Sequence, residues 1–166
     1  MPANHQFNVL FLCTGNSARS ILAEALMNRW GKGKFKAYSA GSNPKGEIHP
    51  KTIEILNKNH FNTTGCRSKS WDEFTGADAP EIDFIITVCS SAANETCPII
   101  PGNPASAHWD IADPARQFDS EEDQDKAFLT AFMELDQRIQ LLIDLPSEKL
   151  DKIALHEHIH KISDQK

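Results

Sequence analysis

No run in this sequence reaches the roughly 18 apolar residues of a membrane-spanning helix, and the opening MPANHQ carries neither the basic segment nor the apolar stretch of a secretory signal. A cytoplasmic protein without membrane contacts is expected. Basic residues are outnumbered 17 to 23, which gives a formal charge of −6. With no basic cluster to offset that charge, nucleic acid and anionic lipid are excluded as partners. Repeats, linkers and low-complexity segments are also missing, so residues 1–166 read as one domain, with 147–166 as a C-terminal helical extension. Cysteine is scarce. The four thiols, Cys13, Cys66, Cys89 and Cys97, are expected to be reduced in a cytosolic chain, and any disulfide among them to be transient and catalytic.

What remains is an ordinary globular composition, 40% hydrophobic and 24% charged. FNVLFL, 7 to 12, is a short apolar run rich in strand formers, and SILAEALMNRW behind it repeats Ile21, Leu22, Ala25, Leu26 and Trp30 at helical spacing. A second strand is expected over 34–40, ended by Gly41, and a second helix over 49–60 with Pro50 in its first turn. DFIITV, 83 to 88, reads as a strand buried on both faces. A short strand over 107–109 and a long amphipathic helix over 121–145 complete the pattern, the latter through Phe128, Leu129, Phe132, Leu135, Ile139, Leu142 and Ile143. Alternating strands and helices predict a doubly wound α/β fold with right-handed crossovers. Ligands in such sheets bind outside the carboxyl ends of the strands, where Cys13 and Cys89 both fall.

The stretch FLCTGNSARS joins the first strand to the first helix. A loop in that position aims several backbone N–H groups at one point, and the helix dipole adds positive potential there. Gly15 offers conformational freedom, and Asn16 tolerates a left-handed backbone. Arg19 presents a fork of donors matched to two oxygens of a tetrahedral oxyanion. The same surroundings favour a thiolate at Cys13, with Ser17 or Ser20 as hydroxyl donor to the sulfur. Taken singly, Cys13 would be a buried strand-end cysteine and Arg19 a surface residue. Their spacing with Gly, Asn and Ser between strand and helix instead predicts a nucleophile facing a bound oxyanion.

VLFLCTGNSARS with its C-x5-R loop, YSAGSNPKGEIHP, DFIITVCSSAANETCP and HWDIADPA together resemble the arsenate reductases of the low-molecular-weight protein tyrosine phosphatase fold, over residues 7 to about 145. The resemblance implies a four-stranded parallel sheet flanked by helices, with arsenate as substrate in a detoxifying reduction. It implies Cys13 as nucleophile, an oxyanion loop of Thr14, Gly15, Asn16, Ser17, Ala18, Arg19 and Ser20, and Asp113, before Pro114, as general acid, a role that fits an otherwise poor oxygen leaving group. Asp110 is out of position and reads as a loop-capping carboxylate. Ala18 departs from the family, since phosphatases and many reductases of this fold carry a second loop cysteine there.

Reductase and phosphatase chemistry begin alike, with a thiolate attacking a tetrahedral oxyanion. A phosphatase then needs only water. A reductase must deliver two electrons, and the resemblance assigns that work to Cys89, which resolves the Cys13 adduct, and to Cys97, which carries the disulfide onward. No bound cofactor is expected. Electrons would come from thioredoxin or from glutathione and glutaredoxin. ARQFDSEED after Asp113-Pro114 lacks the tyrosines that line the phenyl slot of the related phosphatases, and Tyr38 is the one tyrosine in the chain. Phosphomonoester hydrolysis, and an oxyanion-binding redox sensor without turnover, stay open as alternatives.

Other features are given ordinary readings. Cys66 matches no family cysteine. Asn16, Glu24, Ser39 and Asp72 look similar to positions that hold potassium in some relatives, with capping and loop hydrogen bonds as the plainer account, and no metal site is assigned. His156, His158 and His160 fit a solvated terminal helix. The acidic run 119–125 suits the positive end of the long helix. Trp71 and Trp109 either border the pocket or cover it.

Overall fold

A computed structural model describes residues 6–88 and 104–151. Strands β1 (Phe7–Cys13), β2 (Phe35–Gly41), β3 (Phe84–Thr87) and β4 (Ala105–His108) form one sheet in the order β2-β1-β3-β4, and every pair is parallel. The helices are α1 (Arg19–Trp30), α2 (Pro50–Lys58) and α3 (Glu121–Ile143), with a 3-10 turn at Trp71–Phe74. The chain runs outward from β1 to β2, then crosses back to β3 on the other side of β1. Cys13, the last residue of β1, therefore stands at the switch point where such sheets bind ligands.

Alternate residues of β1 serve two cores, as a strand covered on both faces must. Val9, Phe11 and Cys13 join Ile21, Leu22 and Leu26 of α1 and Ala131, Leu135 and Ile139 of α3 in the larger one. Leu10 and Leu12 join Ala40, Ile85, Ile82 and Phe74 in the smaller. Phe11 is fully buried, and a Phe→Ala change at such a site costs about 3–5 kcal/mol. Trp109 stacks at 5.9 Å on Phe11, and Trp71 packs on the smaller core. Both tryptophans cover the molecule rather than line the Cys13 pocket.

Several boundaries differ from the periodicity. Gly41 ends β2 as a paired residue, opposite Cys13, instead of breaking it. β4 lies at Ala105–His108, not 107–109, because its register sets Phe84 against Ala105 and Thr87 against His108; Trp109 is past the strand and donates its N–H to Thr87 O at 2.8 Å. The second helix stops at Lys58, with Asn59 Nδ2 donating to Ile55 O and His60 left-handed at φ 64°. Leu129 is 49% exposed, its place in the apolar stripe taken by the buried Ala131. The expected acidic N-terminus of α3 is present, capped by Ser120 Oγ accepting from Asp123 N–H. A helical turn begins at 147 and buries Leu150 completely in the larger core. Among the described residues no helix is long and apolar enough to cross a membrane.

Candidate active site

The loop 14–18 owes its shape to donors around it. Cys13 O accepts from Ser42 N–H, Thr14 O from Asn43 N–H, Gly15 O from Lys45 N–H and Ser17 O from His49 N–H, at 2.9 to 3.2 Å. Ser68 Oγ donates to Gly15 O and Thr52 Oγ1 to Ser17 O. With these carbonyls drawn outward, the N–H groups of Gly15, Ser17, Ala18 and Arg19 donate to no described residue. Helix α1 begins there without a side-chain cap and without an acidic residue in its first turn. Its positive end is thus open to an anion.

Asn16 is left-handed at φ 47°, as its residue type allows. Gly15 is not, and the freedom expected of it is unused. Its lack of a side chain serves another purpose: a Cβ there would lie 3.3 Å from Lys45 Cε, so the glycine lets the lysine stem lie across the loop. At Gly41 a Cβ would sit 2.5 Å from Thr14 O and 3.1 Å from Asn16 N. A glycine is the residue that lets β2 support the loop this closely.

Cys13 is buried, and its Sγ receives the Asn16 N–H at 3.2 Å and lies 2.9 Å from Ser20 Oγ. The direction of that second bond follows from its neighbours. Lys69 N–H donates to Asn16 Oδ1, which leaves Asn16 Nδ2 to donate to Ser20 Oγ at 2.7 Å. Ser20 therefore spends its own proton on the sulfur. Two donors aimed at Sγ favour the thiolate. Of the two serines expected as partners, Ser20 fills the role, while Ser17 braces the loop through its carbonyl.

A pocket of about 300 Å³ opens over this sulfur, lined by the loop, Arg19, Asn43, Lys45, Asp113 and Ala115. Arg19 Nη1 donates to Ile111 O at 2.9 Å, and its Nη2 stands 3.6 Å from Asp113 Oδ1. That oxygen also accepts from Ala115 N–H, whereas Oδ2 has no hydrogen bond among the described residues. Asp110 is exposed and outside the pocket lining. Asn43 and Lys45 were not foreseen; the one available signal was their place in SNPKG, on the loop that leaves β2 beside Cys13. His49 caps α2, its Nδ1 accepting from Lys51 N–H, so its proton is on Nε2. Burial, then the Lys45 and Lys51 charges, hold this imidazole below its usual range, against a smaller opposing pull from Asp113.

Asn16, Glu24 and Ser39 do gather, but around Lys69. Ser39 Oγ donates to Glu24 Oε1 at 2.7 Å, and Lys69 Nζ lies 3.5 Å from Ser39 Oγ, 3.3 Å from Arg67 O and 3.9 Å from Glu24 Oε1. Asp72 is bonded to none of them among the described residues. This set does not fit a potassium ion, because an ammonium already supplies the positive charge. Burial pushes the Glu24 carboxyl up and the Lys69 ammonium down, each opposed by the other's charge. Cys66, half-buried beside this cluster, is pushed up first by burial and then by Glu24, which leaves a thiol, poor in nucleophilicity. Cys89, Cys97, His156, His158 and His160 lie outside the described residues.

A strand-end cysteine in an anion loop, an arginine six residues on and an Asp-Pro carboxylate facing that arginine define one recurrent site. The model of the low molecular weight phosphotyrosine protein phosphatase family matches residues 8–154. The chain belongs to that family. The match reaches nine residues past the 145 at which the motif resemblance stopped, taking in the turn that buries Leu150. Among relatives, the chain is 37% identical over 111 residues to an arsenate reductase of Staphylococcus aureus (strain N315), spanning 64% of this chain and 78% of that one. Two solved structures are also similar. An arsenate reductase from Archaeoglobus fulgidus DSM 4304 superposes with TM-score 0.64 at 28% identity, over 82% of this chain and 99% of that one. A thioredoxin-dependent arsenate reductase of Corynebacterium glutamicum gives TM-score 0.61 at 25% identity, over 90% and 64%.

Proposed function

We propose that this family member reduces arsenate to arsenite with electrons from an external thiol. The observation that carries the reading is a sulfur held by two donors at the foot of a pocket of about 300 Å³, with Arg19 and Asp113 at its side; the arsenate reductases among its relatives give the redox direction. The Cys13 thiolate attacks arsenic, and the S–As bond forms as an As–O bond breaks. Arg19 and the loop N–H groups carry the negative charge, and Asp113 Oδ2 delivers the proton that lets the oxygen leave as water.

Cys89 then attacks Cys13 Sγ. The S–S bond forms, the S–As electron pair passes to arsenic, and arsenite departs, so that arsenic gains two electrons and two thiols lose them. Cys97 displaces Cys13 from that disulfide, leaving a Cys89–Cys97 bond for thioredoxin, or another dithiol, to reduce. In support, Val88 N–H donates to Leu12 O at 2.9 Å, which joins the residues immediately before Cys89 and Cys13 in sequence.

Against a phosphatase reading stands the pocket lining, which holds no aromatic side chain among the described residues to receive a phenyl ring. The test is NADPH consumption on adding arsenate to the protein with thioredoxin and its reductase, or with glutathione and glutaredoxin. Turnover with either system supports reduction. Turnover with neither, alongside release of phosphate from an aryl phosphate, would make the chain a phosphatase. Stoichiometric oxyanion binding with no product in any of these assays would make it a sensor.

A further inference from the structure

We propose that Lys45 is a second cationic residue of the oxyanion pocket and sets its preference for a free inorganic oxyanion over an aryl ester. The proposal rests on the oxyanion chemistry above but concerns binding, not electron transfer. Lys45 N–H donates to Gly15 O at 3.0 Å, and its stem crosses the same glycine, Cε, Cγ and Cδ lying 3.3, 3.5 and 3.6 Å from where a Cβ would be. The ammonium is one bond beyond Cε. It has no ion pair or hydrogen bond among the described residues, unlike Lys51, which is held by Glu121 and Asp125, and Lys69, which faces Glu24. Its charge is felt at His49 on the neighbouring helix terminus.

The positions of the other groups define what this cation does. The loop, Arg19, Asp113 and Lys45 line one pocket, so an anion whose three inward oxygens met the loop N–H groups and Arg19 would turn its fourth toward Asp113 and Lys45. In arsenate or phosphate that fourth substituent is a small polar oxygen, which an ammonium attracts. In an aryl ester it bears a ring, which would strip water from the ammonium and find no aromatic partner among the described lining residues. One side chain thus favours the first ligand and opposes the second, which is how specificity is built.

Lys45→Met, which keeps the stem and removes the charge, and Lys45→Arg, which keeps the charge, separate this role from simple support of the loop. For Lys45→Met, the KM for arsenate should rise roughly five- to tenfold, the scale of one solvated charge near a dianion, with kcat within about twofold. Its kcat/KM for para-nitrophenyl phosphate should hold or increase, and Lys45→Arg should restore the arsenate KM. Parallel losses on both substrates, or an unchanged arsenate KM, would overturn the proposal. Phosphate binding measured calorimetrically on Cys13→Ser with and without Lys45→Met reads the same charge without any turnover. If wild-type protein reduces no arsenate, the reductase reading fails while this binding difference still decides the case for Lys45; equal phosphate affinities would count against it.

Discussion

In the proposed reaction Cys13, Arg19 and Asp113 divide the first chemical step among nucleophile, charge clamp and acid, so their variants should fail in different ways. Cys13→Ser should abolish arsenate reduction and any aryl phosphate hydrolysis while still binding phosphate, since the N–H groups and Arg19 remain; retained turnover would remove Cys13 from the mechanism. Arg19→Lys should also be severe. A lysine cannot keep the contact to Ile111 O and the approach to Asp113 with one planar fork. Asp113→Asn should slow adduct formation by about 10²–10⁴ with little effect on phosphate affinity, and stopped-flow measurement of thiolate loss reads this directly. Were Asp110→Asn the damaging change, the exposed carboxylate would be the acid and the Arg19–Asp113 contact incidental.

At the scale of elements, β2 and the segment before the 3-10 turn hold the loop from behind. Gly41→Ala would drive a Cβ into Thr14 O. Because a displacement of about 1 Å can cost about 10² in rate, kcat/KM should fall by that order, whereas Gly33→Ala, which replaces a left-handed glycine in open space far from this contact, should affect stability alone. Equal kinetic losses in the two would detach β2 from catalysis. Lys69 gives a prediction in pH. Burial holds its folded ammonium below the ordinary 10.5, so the neutral amine is favoured by folding. Its contribution is present above 10.5 and is lost as pH falls through the depressed folded value. Urea unfolding of wild type and Lys69→Met should therefore show the wild type gaining relative stability as the pH rises from the depressed folded value toward 10.5. A pH-independent difference would mean that Lys69 titrates as it does in the unfolded chain.

The same elements show where sequence reading stops. The strand, loop and helix around Cys13 were legible because an apolar run, a Gly-Asn-Ser turn and a helical stripe each demand one local structure. β4 was displaced because ASAH has almost no apolar alternation, and only its pairing with β3 fixes its limits. Gly15 was expected for backbone freedom and Gly41 as the end of a strand, yet both are glycine for reasons that lie in a distant segment, Lys45 for one and Thr14 for the other. The cluster of Lys69 with Glu24 and Ser39 spans 45 residues of sequence and carries no local pattern at all. For Asn43 and Lys45, the loop's position behind β2 became meaningful only once β2 was seen to lie beside β1.

For the whole molecule, the parallel order β2-β1-β3-β4 is what brings separate sequence motifs to one edge of the sheet. It sets the ends of β1 and β3 side by side, with Leu12 paired to Thr87, and brings the loop after β4 over the same edge to deliver Asp113. The proposed thiol route from Cys13 to Cys89 to Cys97 would use that juxtaposition. Its most direct test is a single turnover: reduced protein, one equivalent of arsenate, no external reductant, then alkylation, disulfide mapping by mass spectrometry and quantification of arsenite. The account predicts one arsenite released per chain, a Cys89–Cys97 disulfide, and Cys66 and Cys13 alkylated as free thiols. Arsenate recovered unreduced with all four thiols free, or arsenite formed in full by Cys13→Ser, would contradict it.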